Sequence, residues 1–422
     1  MENNFGETQS VSLESIPSME LTEKKNEKGE FFAGTFGKDP KNPEEIRVNE
    51  DSMLVREDLG LIAVFDGAGG HIGAAQASQF VKGSVERSFE KNAEFFELES
   101  NEARDDFEKR VSFEMEEIIR EANRSFLLNS MRAGTEGSGT TGTMVKMVEY
   151  EGQKMLLVGH VGDSRAYLYR EGHALEQMTL DHDFILNEIY PGEENVEKAR
   201  ELQWKLGNTL DARNFSAEEK EIFQDKKRHG VSNAFGLEAD KLRVDIGLWD
   251  VKDGDEVLVF SDGITDNLTD QEIENWVKKS VRGKAVQGLM YDAYQKSKAQ
   301  KSPERSGKPR KKDDMSAIRV KIGKIEQGSE EEKKAEKQEG GVSFRASSFD
   351  ELYTILRDEK FTQPEKSTGE IIAHIMKLEL KARQILERYD TKKEEGDLAF
   401  LTRKRDLRSL VVELLRKKVA SE

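Results

Sequence analysis

Two stretches of this chain end in the same way, and they limit what it can fold into. LGLIAVFDG (59–67) and EVLVFSDG (256–263) each hold a short, mainly apolar run that ends in an Asp-Gly pair. Runs of that length, bounded by glycine, read as strands buried on both faces. Each one therefore delivers a carboxylate to the end of a rigid element. Two further acidic groups sit at strand ends. Asn49-Glu50-Asp51 precedes one, and Asp313-Asp314 precedes MSAIRVKI, which alternates with period two. A glycine after an aspartate lets backbone approach a ligand closely. Any single Asp-Gly is more often a turn. Several buried carboxylates converging, however, repel one another unless a cation lies between them, and two ions sharing a carboxylate can polarise a phosphoryl group and activate water.

Composition narrows the chemistry. Among 422 residues there is no cysteine and there are six histidines. Disulfides, thiol nucleophiles and thiolate metal sites are excluded, and any metal must rest on oxygen ligands, which suit Mg²⁺ or Mn²⁺. The formal net charge of −17 argues against nucleic-acid or anionic-membrane binding. The N-terminus lacks a basic, then apolar, leader pattern, and no apolar run reaches membrane-spanning length. The expectation is a cytoplasmic chain.

Four segments are expected. Residues 1–28 are polar and read as a flexible arm. Residues 29–323 mix strand and helix patterns, 324–342 form a charged linker, and 343–422 read as helical only. Within the large block, KMLLVGHVGDSRAYLYREG reads as two strands around a tight turn at Gly162-Asp163. Between Asp106 and Leu128, Phe107, Val111, Met115, Ile118, Ile119, Ala122 and Phe126 recur along one helix face. Thr269 with Glu272 makes a capping box. The stretch 185–231 carries Leu202, Trp204 and Leu206, and 296–312 is rich in lysine and arginine. The latter is either a solvated loop or a basic surface that steers a phosphorylated substrate. The C-terminal segment holds amphipathic stripes sufficient for a small three-helix module, suited to a partner protein or to bracing.

The large block resembles the metal-dependent, type 2C serine/threonine phosphatases, particularly bacterial members. The resemblance is carried, in order, by RVNEDS (47–52), VFDGAGGH (64–71), GSGTTGT (137–143), VGDSRAYL (161–168), TLDHDF (179–184), SNAFG (232–236), FSDGITD (260–266) and DDMSAI (313–318). It implies an α+β, four-layer α-β-β-α sandwich of two antiparallel sheets. It also implies two Mg²⁺ or Mn²⁺ ions that hydrolyse phosphoserine or phosphothreonine on a phosphorylated protein substrate. By the same resemblance Asp66 bridges both ions and the Gly67 carbonyl ligates one of them, Asp262 and Asp313 complete the first, and Glu50 serves the second. Asp51 orients the attacking water, and Arg47 binds the phosphate. Asp163 and Asp266 match positions that hold a third, weaker ion. Read as residues alone, Asp163 is equally a hairpin turn and Asp266 a helix-entry carboxylate.

Three departures stand out. The family's arginine usually lies four residues before the glutamate, whereas Arg47 lies three before Glu50. Ala68 stands where many members place a proton-donating histidine, with His71 three residues on. Asp314 replaces a usual asparagine. A phosphoprotein-binding pseudophosphatase is the alternative. Such proteins typically lose metal carboxylates, and here Asp66, Asp262 and Asp313 all remain.

Overall fold

The computed structural model describes residues 19–38, 48–68, 72–99, 101–209, 214–225, 230–279, 284–298 and 311–323, all within one compact unit. Arg47, His71, most of the basic 296–312 stretch, the charged linker and the C-terminal helical segment lie outside the described residues.

In chain order the strands are β1 (Glu20–Asn26), β2 (Gly29–Phe36), β3 (Ser52–Arg56), β4 (Leu61–Phe65), β5 (Gly67–Ala68), β6 (Gly139–Thr140), β7 (Gly142–Tyr150), β8 (Gln153–Val161), β9 (Arg165–Tyr169), β10 (Glu176–Gln177), β11 (Asp245–Asp250), β12 (Glu256–Phe260) and β13 (Met315–Ile322). The α-helices are α1 (Ile72–Lys91), α2 (Arg104–Ala133), α3 (Val196–Asn208), α4 (Ala217–Gln224), α5 (Asp262–Thr265), α6 (Asp270–Lys279) and α7 (Lys284–Lys298). One sheet runs β1-β2-β13-β12-β9-β10 and the other β11-β8-β7-β4-β3, with β5-β6 a short separate ribbon. Every pairing within them is antiparallel.

The four layers follow from side-chain alternation, because successive residues of a strand face opposite sides. On β4, Ile62 and Val64 pack between the sheets, with Val145, Val158, Val257, Val259 and Ile318. Leu61, Ala63 and Phe65 face the other way, against Val81 and Val85 of α1 and Phe107, Met115 and Ile119 of α2. The second sheet does the same. Phe31 and Ala33 of β2 enter the inter-sheet core, while Phe32 and Phe36 meet Ile273 and Val277 of α6 and Met290 and Tyr294 of α7. This is why the central strands read as unbroken apolar runs: both faces are covered. The expected apolar stripe of α2 is buried throughout, and the Thr269–Glu272 box opens α6 with both reciprocal bonds made, at 3.3 and 3.0 Å.

Two expectations are corrected. The arm expected over 1–28 contains strand from Glu20 onward. β1 is polar because it is a sheet edge, largely exposed, and it is held by pairing to β2 and by Lys24 bonding Glu57 at 2.7 Å and the Val55 carbonyl at 3.0 Å. The second correction concerns only the hairpin alternative for Asp163: the tight turn expected between two strands is present at Gly162-Asp163, but it does not form a hairpin. β8 belongs to one sheet and β9 to the other, so this turn carries the chain across the sandwich. Among the described residues, no helix is long and apolar enough to cross a membrane.

Candidate metal centre

The antiparallel pairings bring the acidic strand ends to one place. β4 ends beside the start of β3, with Ser52 opposite Phe65, so Asp66 and Glu50-Asp51 are neighbours. β12 ends beside the start of β13, where the Ser261 N–H donates to the Ser316 carbonyl at 3.0 Å; Asp262 and Asp313-Asp314 are therefore neighbours too. β8 ends in Gly162-Asp163. Eight carboxylates are thus gathered: Glu50, Asp51, Asp66, Asp163, Asp262, Asp266, Asp313 and Asp314.

Backbone geometry around Asp66 is tightly fixed. The Asp66 N–H donates to Thr141 Oγ1 at 3.0 Å. Its carbonyl accepts from the Thr141 N–H and from Thr140 Oγ1, each at 2.8 Å. Both threonines thus hold the aspartate in place. Gly67 is required by space. A β-carbon there would stand 2.5 Å from the Ala74 carbonyl oxygen and 2.7 Å from that of Glu50. At Gly263 it would stand 1.9 Å from the Asp314 carbonyl oxygen. The Asp-Gly pairs are therefore close-packing devices: Gly67 opens β5 and Gly263 lies in the first turn of α5.

The electrostatics are severe. Burial, then the neighbouring Asp314, pushes the Asp51 carboxyl up to about 8. Burial, then the charges of Asp51, Asp262 and Asp313, raises Asp66 well above the carboxylate range. Asp163 is raised well above it by burial and then by Asp262. Asp262 rises to about 6, burial outweighing the attraction of Lys311. Asp313 goes the other way, lowered by Lys311 and Lys38 against its burial.

Lys38 bonds Glu50 at 3.0 Å and Asp313 at 2.8 Å. Lys311 bonds Asp313 at 2.8 Å and also Asp262. Neither lysine was singled out from sequence as a partner of these acids, because the contacts join segments some 275 residues apart in the case of Lys38. Asp314, by contrast, spends both oxygens on backbone: one accepts from the Lys38 N–H at 2.6 Å, the other from the Glu50 N–H at 2.7 Å. It straps the end of β2 and the approach to β3 onto β13, so it is poorly placed as a ligand, although its oxygens lie close to those of Glu50 and Asp313.

The residues fit divalent ions. All donors are oxygens, the carboxylates outnumber the cations, and one oxygen each of Asp51, Asp163 and Asp262 is buried with no hydrogen-bond partner. A buried carboxylate oxygen left unpaired is costly; a cation removes that cost. Asp51 keeps its other oxygen on Ser261 Oγ at 2.8 Å. Next to this nest, Asp163, Asp262, Thr265 and Asp266 line a cleft of about 40 Å³ with Asp181, Asp183 and Gln203. Arg165 lies there as well, engaged bidentately with Asp181 at 2.6 and 2.9 Å. Leu202 and Leu206 of α3 are buried in a separate small core with Ile185 and Phe215, whereas Trp204 is exposed.

Residues 18–187 match the family model described as "Protein phosphatase 2C". That stretch of the chain is similar to protein phosphatase 2C. The chain is 25% identical over 234 residues to the serine/threonine phosphatase stp of Listeria monocytogenes serotype 4b, a match covering 54% of this chain and 77% of that protein. It is 27% identical over 226 residues to the serine/threonine protein phosphatase PstP of Mycobacterium tuberculosis, covering 53% of this chain and 35% of that one. Among solved structures, that of the Mycobacterium tuberculosis phosphatase PstP/Ppp is similar at TM-score 0.48 and 21% identity, covering 70% of this chain and 98% of that one. A PstP catalytic domain in complex with two manganese ions is similar at TM-score 0.46 and 19% identity, covering 73% and 100%.

Proposed function

We propose that this domain hydrolyses phosphoserine and phosphothreonine on proteins, using Mg²⁺ or Mn²⁺. The observation that supports it most is the nest of eight acidic side chains at one end of the sandwich, with three buried oxygens unpartnered. In this reading Glu50, Asp66, the Gly67 carbonyl, Asp262 and Asp313 would together hold two ions. Asp163 and Asp266, which line the adjoining cleft with Asp262, hold a third. Such ions, once bound, offset phosphoryl charge and lower the pKa of water.

The chain's own groups do the rest. Thr140 and Thr141 fix the Asp66 backbone. Ser261 holds one oxygen of Asp51 and leaves the other to accept a hydrogen bond from the water that attacks phosphorus. Displacement then releases the serine or threonine hydroxyl and inorganic phosphate, with no covalent enzyme intermediate; a thiol route is excluded by the absence of cysteine. Arg47 is assigned the phosphate, since a guanidinium matches it bidentately. Residues 19–323, β1 included, form the catalytic unit, and 343–422, beyond the 324–342 linker, recruit or regulate through a partner protein.

The lysine ion pairs favour a second reading, a phosphoprotein-binding module without turnover, because Lys38 and Lys311 already satisfy three of the assigned ligands. Hydrolysis of a phosphothreonine peptide decides between them. Release of phosphate with Mn²⁺, its loss in EDTA and its return on adding Mn²⁺ support the enzyme. Peptide binding without phosphate release under all three conditions supports the module.

A further inference from the structure

Every oxygen of Asp313 that could face an ion already faces an ammonium group. Its Oδ1 is bonded by Lys38 and its Oδ2 by Lys311, each at 2.8 Å. The same two lysines take Oε2 of Glu50, at 3.0 Å, and Oδ2 of Asp262. These contacts are sheltered: the side chains of Lys38, Glu50 and Asp313 are 20, 16 and 17% exposed, and that of Asp262 is 8% exposed. An oxygen that holds a close ammonium cannot at the same time give its lone pair to a divalent ion in the same direction.

Both lysines are also anchored at the backbone. The Lys38 N–H is held by Asp314. The Lys311 carbonyl accepts from Asn267 Nδ2 at 2.8 Å, and that amide also donates to the Gly263 carbonyl, at 2.8 Å, next to Asp262. Each ammonium is therefore tethered beside its carboxylates at a high effective concentration, on a four-carbon stem free enough to swing away.

We propose that Lys38 and Lys311 are tethered competitors for the metal ligands, so that loading this domain exchanges ammonium for divalent ion and the lysines set the metal concentration at which the site fills. This rests on the metal-centre reading above. A lysine that only neutralised the region from a distance would act equally well from a neighbouring position. A competitor must touch the ligands. Lys312 supplies the comparison: it carries the same charge one residue along and is exposed.

The experiment is direct Mn²⁺ binding, by calorimetry or by the paramagnetic resonance of free Mn²⁺, on the full chain and on Lys38→Met, Lys311→Met and Lys312→Met. Removing a positive charge in contact with ligands should tighten Mn²⁺ binding about tenfold or more at Lys311 and Lys38, the range over which a close charge shifts an ionic equilibrium. Lys312→Met should change it by less than about twofold at moderate salt, where exposed charges are screened. Should Lys311→Met fail to fold, Lys311→Gln keeps a polar side chain of similar reach and gives the same comparison. Unchanged or weaker Mn²⁺ binding in both contact variants overturns the proposal, as does an equal gain in Lys312→Met. Absence of Mn²⁺ binding in every protein, the lysine variants included, is a different failure: it removes the metal centre itself.

Discussion

Replacing Thr141 by valine keeps the shape of a buried side chain and deletes one oxygen. That oxygen accepts from the Asp66 N–H at 3.0 Å and pairs with Ser164 Oγ at 2.8 Å. In Thr141→Val the Asp66 N–H loses its acceptor inside the protein, which costs about 1–3 kcal/mol. For a unit of this size each kcal/mol lowers the melting temperature by about 2–4 °C, so the metal-free protein should melt about 2–12 °C lower. The carboxylate proposed as a metal ligand is then less firmly aimed, and loss of such a supporting contact typically weakens metal binding about 10–100-fold. Thr140→Val should be milder, about 0.5–1.5 kcal/mol, because the Asp66 carbonyl keeps the Thr141 N–H at 2.8 Å. Thermal unfolding with and without Mn²⁺ reads both quantities. Equal melting of wild type and Thr141→Val, with equal Mn²⁺ requirement, would refute the argument that these threonines hold the site.

Gly263→Ala drives a β-carbon into the Asp314 carbonyl and should cost about 1–3 kcal/mol or more, with loss of phosphatase activity; an active, equally stable variant would show that the contact relaxes freely. Asp51 and Asp262 are raised in the folded state to about 8 and about 6, so the folded protein holds protons there that the unfolded chain has released. Metal-free stability should therefore fall as pH rises from about 4 to about 8. Saturating Mn²⁺ should reverse or flatten that slope, and urea midpoints across this range that rise with pH without metal would contradict it. Arg47→Ala should raise KM for a phosphopeptide more than it lowers kcat; an unchanged KM would assign the phosphate to another cation.

What the sequence showed and what it hid divide along physical lines. LIAVF and EVLVF read as doubly buried strands because both of their faces are in fact covered, and Asp66 and Asp262 read as site residues because a strand end fixes them. The α2 stripe and the Thr269–Glu272 box were legible because each is a local pattern of three or four residues. β1 was taken for a loose arm because an exposed edge strand carries no apolar signature; its evidence is the pairing to β2. The crossing at Gly162-Asp163 looked like a hairpin because a tight turn does not state which sheet receives the next strand. Lys38 is invisible as a partner of the acids, since its contacts exist only once β2, β3 and β13 are side by side, and the bond of Lys311 to Asp262 likewise needs β12 beside β13. The surplus of carboxylates predicts that cations gather there, but not which ones.

The central claim is that Asp66 organises a metal-dependent phosphatase centre, and Asp66→Asn tests it most directly. The substitution keeps size and backbone contacts and removes the charge that two ions would share. Phosphate release from a phosphothreonine peptide at saturating Mn²⁺ should fall to near background, while the variant's circular dichroism spectrum matches that of the wild type. Full turnover by Asp66→Asn under those conditions would contradict the account.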